Sequence, residues 1–368
     1  MVLLVAGVAT ACRERPPTTG ACRTTSAAAT YRAAIDSDSP LLRPLYRGLR
    51  APGLSIAVAV HGRIVWSAAC GFADLRRRIP VSDTTQFRIG SVSKTLTAAA
   101  LAHYADAGVV DLDAPITRYL PAFPHPRGIT LRRLAGHLAG IRHYETADEV
   151  VNRRHFPSVR AALAVFANDP LVARPGTRFA YSSYGYDVIG AALERATRLS
   201  FPALMQRAVL TPAGLRWTML VRGPRQPRFY ELASGGTVHL APPIDLSDRL
   251  PGGGFVSTAR DLARFGSLLA GGLVRPSSVR AMFTSQRTIS GAKTGYGLGF
   301  EVHPSPVGLF VGHTGAVDGG TAGLIVHPAS ATALAIATNV GYATAETPPP
   351  PRPGTPDPPR LLLPFLRR

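Results

Sequence analysis

The octet Phe87-Arg88-Ile89-Gly90-Ser91-Val92-Ser93-Lys94 sets a serine hydroxyl and a lysine amine three residues apart. On a helix that opens at Ser91, this spacing puts both side chains on one face, within reach of each other. A serine hydroxyl attacks a carbonyl only when a neighbour takes its proton. A lysine buried away from water can do that, because desolvation pushes its pKa towards neutrality. The helix N-terminus adds unpaired N–H groups that suit a developing oxyanion. A bare S-x-x-K also describes an N-cap serine followed by an exposed lysine. Composition weighs against that blander reading. Of 41 Lys+Arg in the 368 residues, only Lys94 and Lys293 are lysine. Arginine does not deprotonate, so a lysine kept in an arginine-loaded chain has a chemical reason to be there.

Two further segments carry suitable groups. Tyr181 lies in Pro175-Gly176-Thr177-Arg178-Phe179-Ala180-Tyr181-Ser182-Ser183-Tyr184-Gly185-Tyr186. Beside a lysine, a tyrosine can serve as base for the serine and acid for the leaving group; the competing reading is aromatic packing at a loop-to-helix junction. Val311-Gly312-His313-Thr314-Gly315-Ala316 falls on an expected late strand. Its small residues allow close backbone approach, so Ala316 N–H can join Ser91 N–H around an oxyanion. His313 and Thr314 would then meet a substrate carboxylate or the Lys94/Tyr181 pair. His137 and His143 read as lone loop histidines with structural roles.

These groups need elements to hold them. Leu54–Val60 and Ile64–Ala69 read as a hairpin across His61-Gly62-Arg63, and a helix runs from about Ser91 to Ala107. Helical patterns recur at Ser158–Phe166, Gly185–Arg198 and Thr258–Ala270. Strands follow at Tyr296–Val302, Val307–Val311, Gly323–His327 and Thr332–Thr338. Strands at both ends and helices between predict an α+β fold: one antiparallel sheet from about 45–90 and 290–342, flanked by helices, with a mostly helical inserted region at about 91–285.

The net charge of +19 comes from arginines scattered singly or in short runs, without interleaved aromatics, so nucleic acid is not an expected partner. No apolar run is long enough to span a bilayer. Residues 1–30 read as a signal- or lipoprotein-like segment and tether. Ala9-Thr10-Ala11-Cys12 loosely matches a lipoprotein cleavage box, which would give an exported protein, periplasmic or lipid-anchored at Cys12. Cys12, Cys22 and Cys70 are too few for a disulfide scaffold and lack metal spacing. The last segment, 343–368, is a proline-rich tail whose final LLLPFLRR either docks or stays free. There is no G-x-S-x-G and no H-E-x-x-H, and no metal or cofactor is expected.

Taken in order, these motifs resemble the serine β-lactamase/penicillin-binding-protein superfamily, on its class C and D-alanyl-D-alanine carboxypeptidase side. The resemblance covers residues 40–342 and includes Ile129-Thr130-Leu131-Arg132-Arg133-Leu134, His137–Glu145, Pro175-Gly176-Thr177, Gly252–Thr258 and Asp261-Leu262. His137–Glu145 and Tyr181–Tyr186 look closest to the mitochondrial serine β-lactamase-like proteins and their bacterial relatives. The resemblance implies a β-lactamase/transpeptidase-like fold with Ser91 as acylated nucleophile, Lys94 and Tyr181 as proton-transfer partners, and Ser183, His313, Thr314, Gly315 and Ala316 as substrate contacts. It implies a serine hydrolase acting on a small-molecule or peptide amide or ester. A weakly active scaffold or filament-forming member, a homo-oligomer, is the alternative. Ser183 replaces the Asn of Y-x-N and His313, partly charged near neutral pH, replaces Lys; both argue against efficient β-lactam hydrolysis. Lys293-Thr294-Gly295 spells K-T-G, but in a polar connector, where Lys293 reads as an exposed loop residue.

Overall fold

The computed structural model describes residues 21–220, 223–233, 236–342 and 357–366. The expected readings of Cys12 and of 343–356 lie outside the described residues. Alanines alternate with larger apolar residues along the two central strands of the sheet, Gly53–Val60 and Thr332–Thr338. They pair antiparallel with Ile56 opposite Ile336 and Ala57 opposite Ala335. Outward from this seam run Arg63–Asp74 and then Cys22–Ala27 on one side. On the other side come Gly320–His327, Gly308–Val317 and Glu301–Ser305. The two chain ends therefore build one antiparallel sheet, as expected.

The period-two alternation gives the sheet two different faces. Ala57, Ala59, Ala333, Ala335 and Ala337 face the main core, whereas Leu54, Ile56, Val58, Leu334 and Ile336 face a second one. The alanine face lets the helix Ala259–Ala270 approach closely. A Cβ on its Gly266 would lie 2.8 Å from Val326 Cγ2. Beyond that helix, the main core closes around Ser93–Asp106, which is buried on almost every side. The opposite face is covered by the helices Arg32–Asp38 and Leu42–Leu49. The end of the chain docks there too. Leu361, Leu362 and Phe365 are buried, and the Phe365 ring sits 5.9 Å from both Trp66 and Tyr31.

Three expectations change. Part of the expected tether is structural: Cys22–Ala27 pairs with Arg63–Asp74, and a disulfide joins Cys22 to Cys70. Two of the three cysteines are therefore a single staple across neighbouring strands. The strand expected at Tyr296–Val302 forms instead at Glu301–Ser305, because the glycine-rich Tyr296–Gly299 turns rather than extends. The helix expected to open at Ser91 begins with a 3₁₀ turn, Gly90–Val92, before the α-helix Ser93–Asp106. No helix among the described residues is long and apolar enough to cross a membrane.

The disulfide closes a separation of 48 residues and ties an edge strand to the sheet. A Cys22→Ala/Cys70→Ala variant is expected to lose about 2–4 kcal/mol in denaturant unfolding. A wild-type midpoint would show that the edge strand holds without it.

Candidate active site

Ser91 sits on the 3₁₀ turn at the mouth of the buried helix, partly exposed, and Lys94 follows on the same face with no exposure at all. The Lys94 ammonium has three protons to place. It donates to Ser91 Oγ at 2.9 Å, to Ser183 Oγ at 2.9 Å and to the Gly252 carbonyl at 2.8 Å. Tyr181 Oη contacts Ser91 Oγ at 2.8 Å. The expected nucleophile and both of its expected proton partners thus meet at one oxygen.

Among the described residues, no carboxylate bonds Lys94. Asp187, one helical turn beyond Ser183, is fully buried, and neither of its oxygens has a hydrogen-bond partner among the described residues. Burial, reinforced by Asp248, raises its pKa well above the ordinary range. Besides the hydroxyl and carbonyl acceptors, the Lys94 ammonium lies 5.0 Å from the Tyr181 ring centroid and 5.5 Å from that of Tyr186.

The late strand closes the other side. Gly90 has a left-handed φ of +47° and packs against Ala316. A Cβ on Gly90 would lie 2.8 Å from Ala316 N, and one on Gly315 would lie 2.1 Å from Ile89 O and 2.8 Å from Ser91 N. Only glycine at both positions lets the two backbones come together, which brings Ala316 N and Ser91 N to the same end of the site. Thr314 and Ala316 are exposed there, while Gly315 is buried.

Two expected substrate contacts behave differently. Ser183 is buried, and its hydroxyl is taken by Lys94 rather than turned outward. His313 is buried, and its Nδ1–H donates to the Thr314 carbonyl, leaving Nε2 as an acceptor without a partner among the described residues. Burial and the Lys94 charge push its pKa down to about 3, so it is neutral at physiological pH, not partly charged as expected. Lys293 is exposed in its connector.

Three further groups stand in the candidate site without a sequence signature for it. The Gly252 carbonyl belongs to backbone, which leaves no residue-type signature. His137 Nδ1 accepts the Ser182 N–H at 3.1 Å, and His143 Nδ1 accepts the Ser183 N–H at 3.3 Å. Both histidines support the Tyr181 loop, a structural role placed inside the candidate site. Burial and Lys94 lower His143 to about 4 and His137 well below its ordinary value. No group of three or more His, Cys, Asp or Glu among the described residues is placed to hold a metal ion.

These imidazoles make stability depend on pH in a defined direction. Their folded pKa values lie below the ordinary 6.5, so the unfolded chain takes up protons first as the pH falls. Their contribution is complete above 6.5 and is lost on the way down to about 4 for His143. The urea midpoint is expected to fall between pH 7 and pH 4, and His143→Asn is expected to flatten part of that fall. An unchanged slope in the variant would remove His143 from the account.

The Beta-lactamase family model matches residues 40–351. The chain is 29% identical over 314 residues to human Serine beta-lactamase-like protein LACTB, mitochondrial, covering 65% of this chain and 57% of the relative. It is 28% identical over 297 residues to the D-aminopeptidase of Cereibacter sphaeroides (strain ATCC 17029 / ATH 2.4.9), covering 78% of this chain and 56% of that enzyme. The chain therefore spans little more than half the length of these relatives. Among solved structures, SurE superposes with a TM-score of 0.72 at 28% identity, over 84% of this chain and 72% of SurE. With the family model matched along most of its length and the same fold in SurE, the chain belongs to the beta-lactamase family.

Proposed function

We propose that the protein is a serine hydrolase that cleaves amide, peptide or ester bonds through an acyl-enzyme on Ser91. The observation that carries this reading is the double contact on one partly exposed oxygen: Lys94 Nζ at 2.9 Å and Tyr181 Oη at 2.8 Å from Ser91 Oγ. In the reactive form, the Lys94/Tyr181 pair is short of one proton. It takes the Ser91 proton as Oγ bonds to the substrate carbonyl carbon. The carbonyl oxygen becomes negative between the N–H groups of Ser91 and Ala316. Collapse breaks the bond to the amine or alcohol, which leaves with a proton from Tyr181 Oη. Water then attacks the acyl carbon as the pair takes its proton; collapse breaks the bond to Ser91 Oγ, the pair returns that proton to Oγ, and the acid is released.

The D-aminopeptidase relative favours an amide or peptide substrate. Efficient β-lactam hydrolysis is not expected. The Ser183 hydroxyl is spent on Lys94 and cannot reach a substrate amide in the way an outward Asn would. The Cys22–Cys70 disulfide supports an oxidising compartment, in keeping with export, and Cys12 is the proposed site of a lipid anchor. The second reading, a weakly active scaffold that forms homo-oligomers or filaments, draws on the inward Ser183 and the neutral His313.

A fluorophosphonate probe followed by intact-mass analysis separates the two. One adduct on wild type and none on Ser91→Ala is the expected result. An unlabelled wild type that sediments as a large assembly would overturn the hydrolase reading in favour of the scaffold.

A further inference from the structure

We propose that His137 is a positioning residue for Tyr181, gripping the peptide groups on both sides of it and bracing its ring; the catalytic part of this inference rests on Tyr181 being the proton partner of Ser91. The His137 carbonyl accepts the Ala180 N–H at 2.8 Å, and its Nδ1 accepts the Ser182 N–H at 3.1 Å. The residues immediately before and after Tyr181 are thus tied to one residue 44 positions earlier in the chain. The imidazole lies 4.4 Å from the Tyr181 ring, centroid to centroid, and 4.6 Å from the Tyr296 ring behind it. Loop and ring are fixed together, and with them the place of Oη against Ser91.

Two features separate this role from ordinary packing. His137 adopts a φ of +57°, a left-handed conformation that a non-glycine residue takes at a cost. Because Nδ1 accepts, the ring proton is on Nε2, which is buried without a hydrogen-bond partner among the described residues. A glycine would relieve the first and an apolar ring the second. Neither offers an acceptor to Ser182 N–H. The strained backbone and the unmet donor both accompany the placement of Nδ1 beside Tyr181.

The test compares His137→Asn with His137→Gly and His137→Phe. Asparagine tolerates the left-handed φ and presents Oδ1 as an acceptor in place of Nδ1. Two readouts are used: the single-turnover rate of Ser91 acylation by a chromogenic ester, and the ¹³Cζ resonance of Tyr181, assigned with Tyr181→Phe. His137→Gly and His137→Phe are expected to slow acylation by roughly 30–100-fold with KM little changed, and to shift the Tyr181 resonance. His137→Asn is expected to recover most of both. The proposal is overturned if the Tyr181 resonance stays in place in His137→Gly, or if His137→Asn loses as much as the other two. Should His137→Phe fail to fold, the glycine variant, which relieves the backbone, carries the comparison alone. A wild type that no ester acylates counts against the hydrolase reading, and the Tyr181 resonance still decides the clamp.

Discussion

A lysine ammonium with no exposure to solvent is the constraint from which the site follows. Moving such a charge out of water costs several kcal/mol even after relaxation, unless every proton finds an acceptor. At Lys94 all three do, and the acceptors come from three separate parts of the chain: the turn at Ser91, the start of the helix at Ser183, and the backbone at Gly252. Satisfying this one ammonium therefore fixes the relative placement of three elements. The charge also acts at longer range, helping burial keep His137, His143 and His313 neutral around the Tyr181 ring.

The rest of the fold brings a strand to that cation. The sheet is made from both ends of the chain, so Gly308–Val317 reaches the Ser91 turn only after the helical middle has been inserted. Two glycines, Gly90 and Gly315, then allow contact between backbones that any side chain would block. On the far side of the sheet, the second core is sealed by Leu361, Leu362 and Phe365 from the end of the chain and by the strand stapled through Cys22. The Ser91 cluster at one face rests on a sheet held from the other.

Much of this was legible in the sequence, for identifiable reasons. Thr332–Thr338 alternates strictly and Thr258–Ala270 carries its own Thr258 cap, so local physics sufficed for both. Ser91 and Lys94 stood out because helical spacing and the scarcity of lysine agree. What was hidden depends on partners distant in sequence. Nothing in the spacing of Cys22 and Cys70 specifies their pairing, and the short, largely polar strand Cys22–Ala27 reads as a tether until its neighbour is known. Ser183 reads as a substrate contact because its residue type is right; its direction is decided by Lys94, 89 positions away. The roles of His137 and His143 are set by backbone N–H groups in another segment, which side-chain types do not advertise.

The central claim is that a lysine, not merely a positive charge, must occupy position 94. Its most direct test is the single-turnover acylation rate of Lys94→Arg, with folding checked by circular dichroism. Arginine keeps the charge but cannot release a proton, and its planar fork does not match three acceptors arranged around a compact ammonium. The account predicts a fall of at least about 100-fold in a folded protein. A folded Lys94→Arg that acylates at the wild-type rate would contradict it.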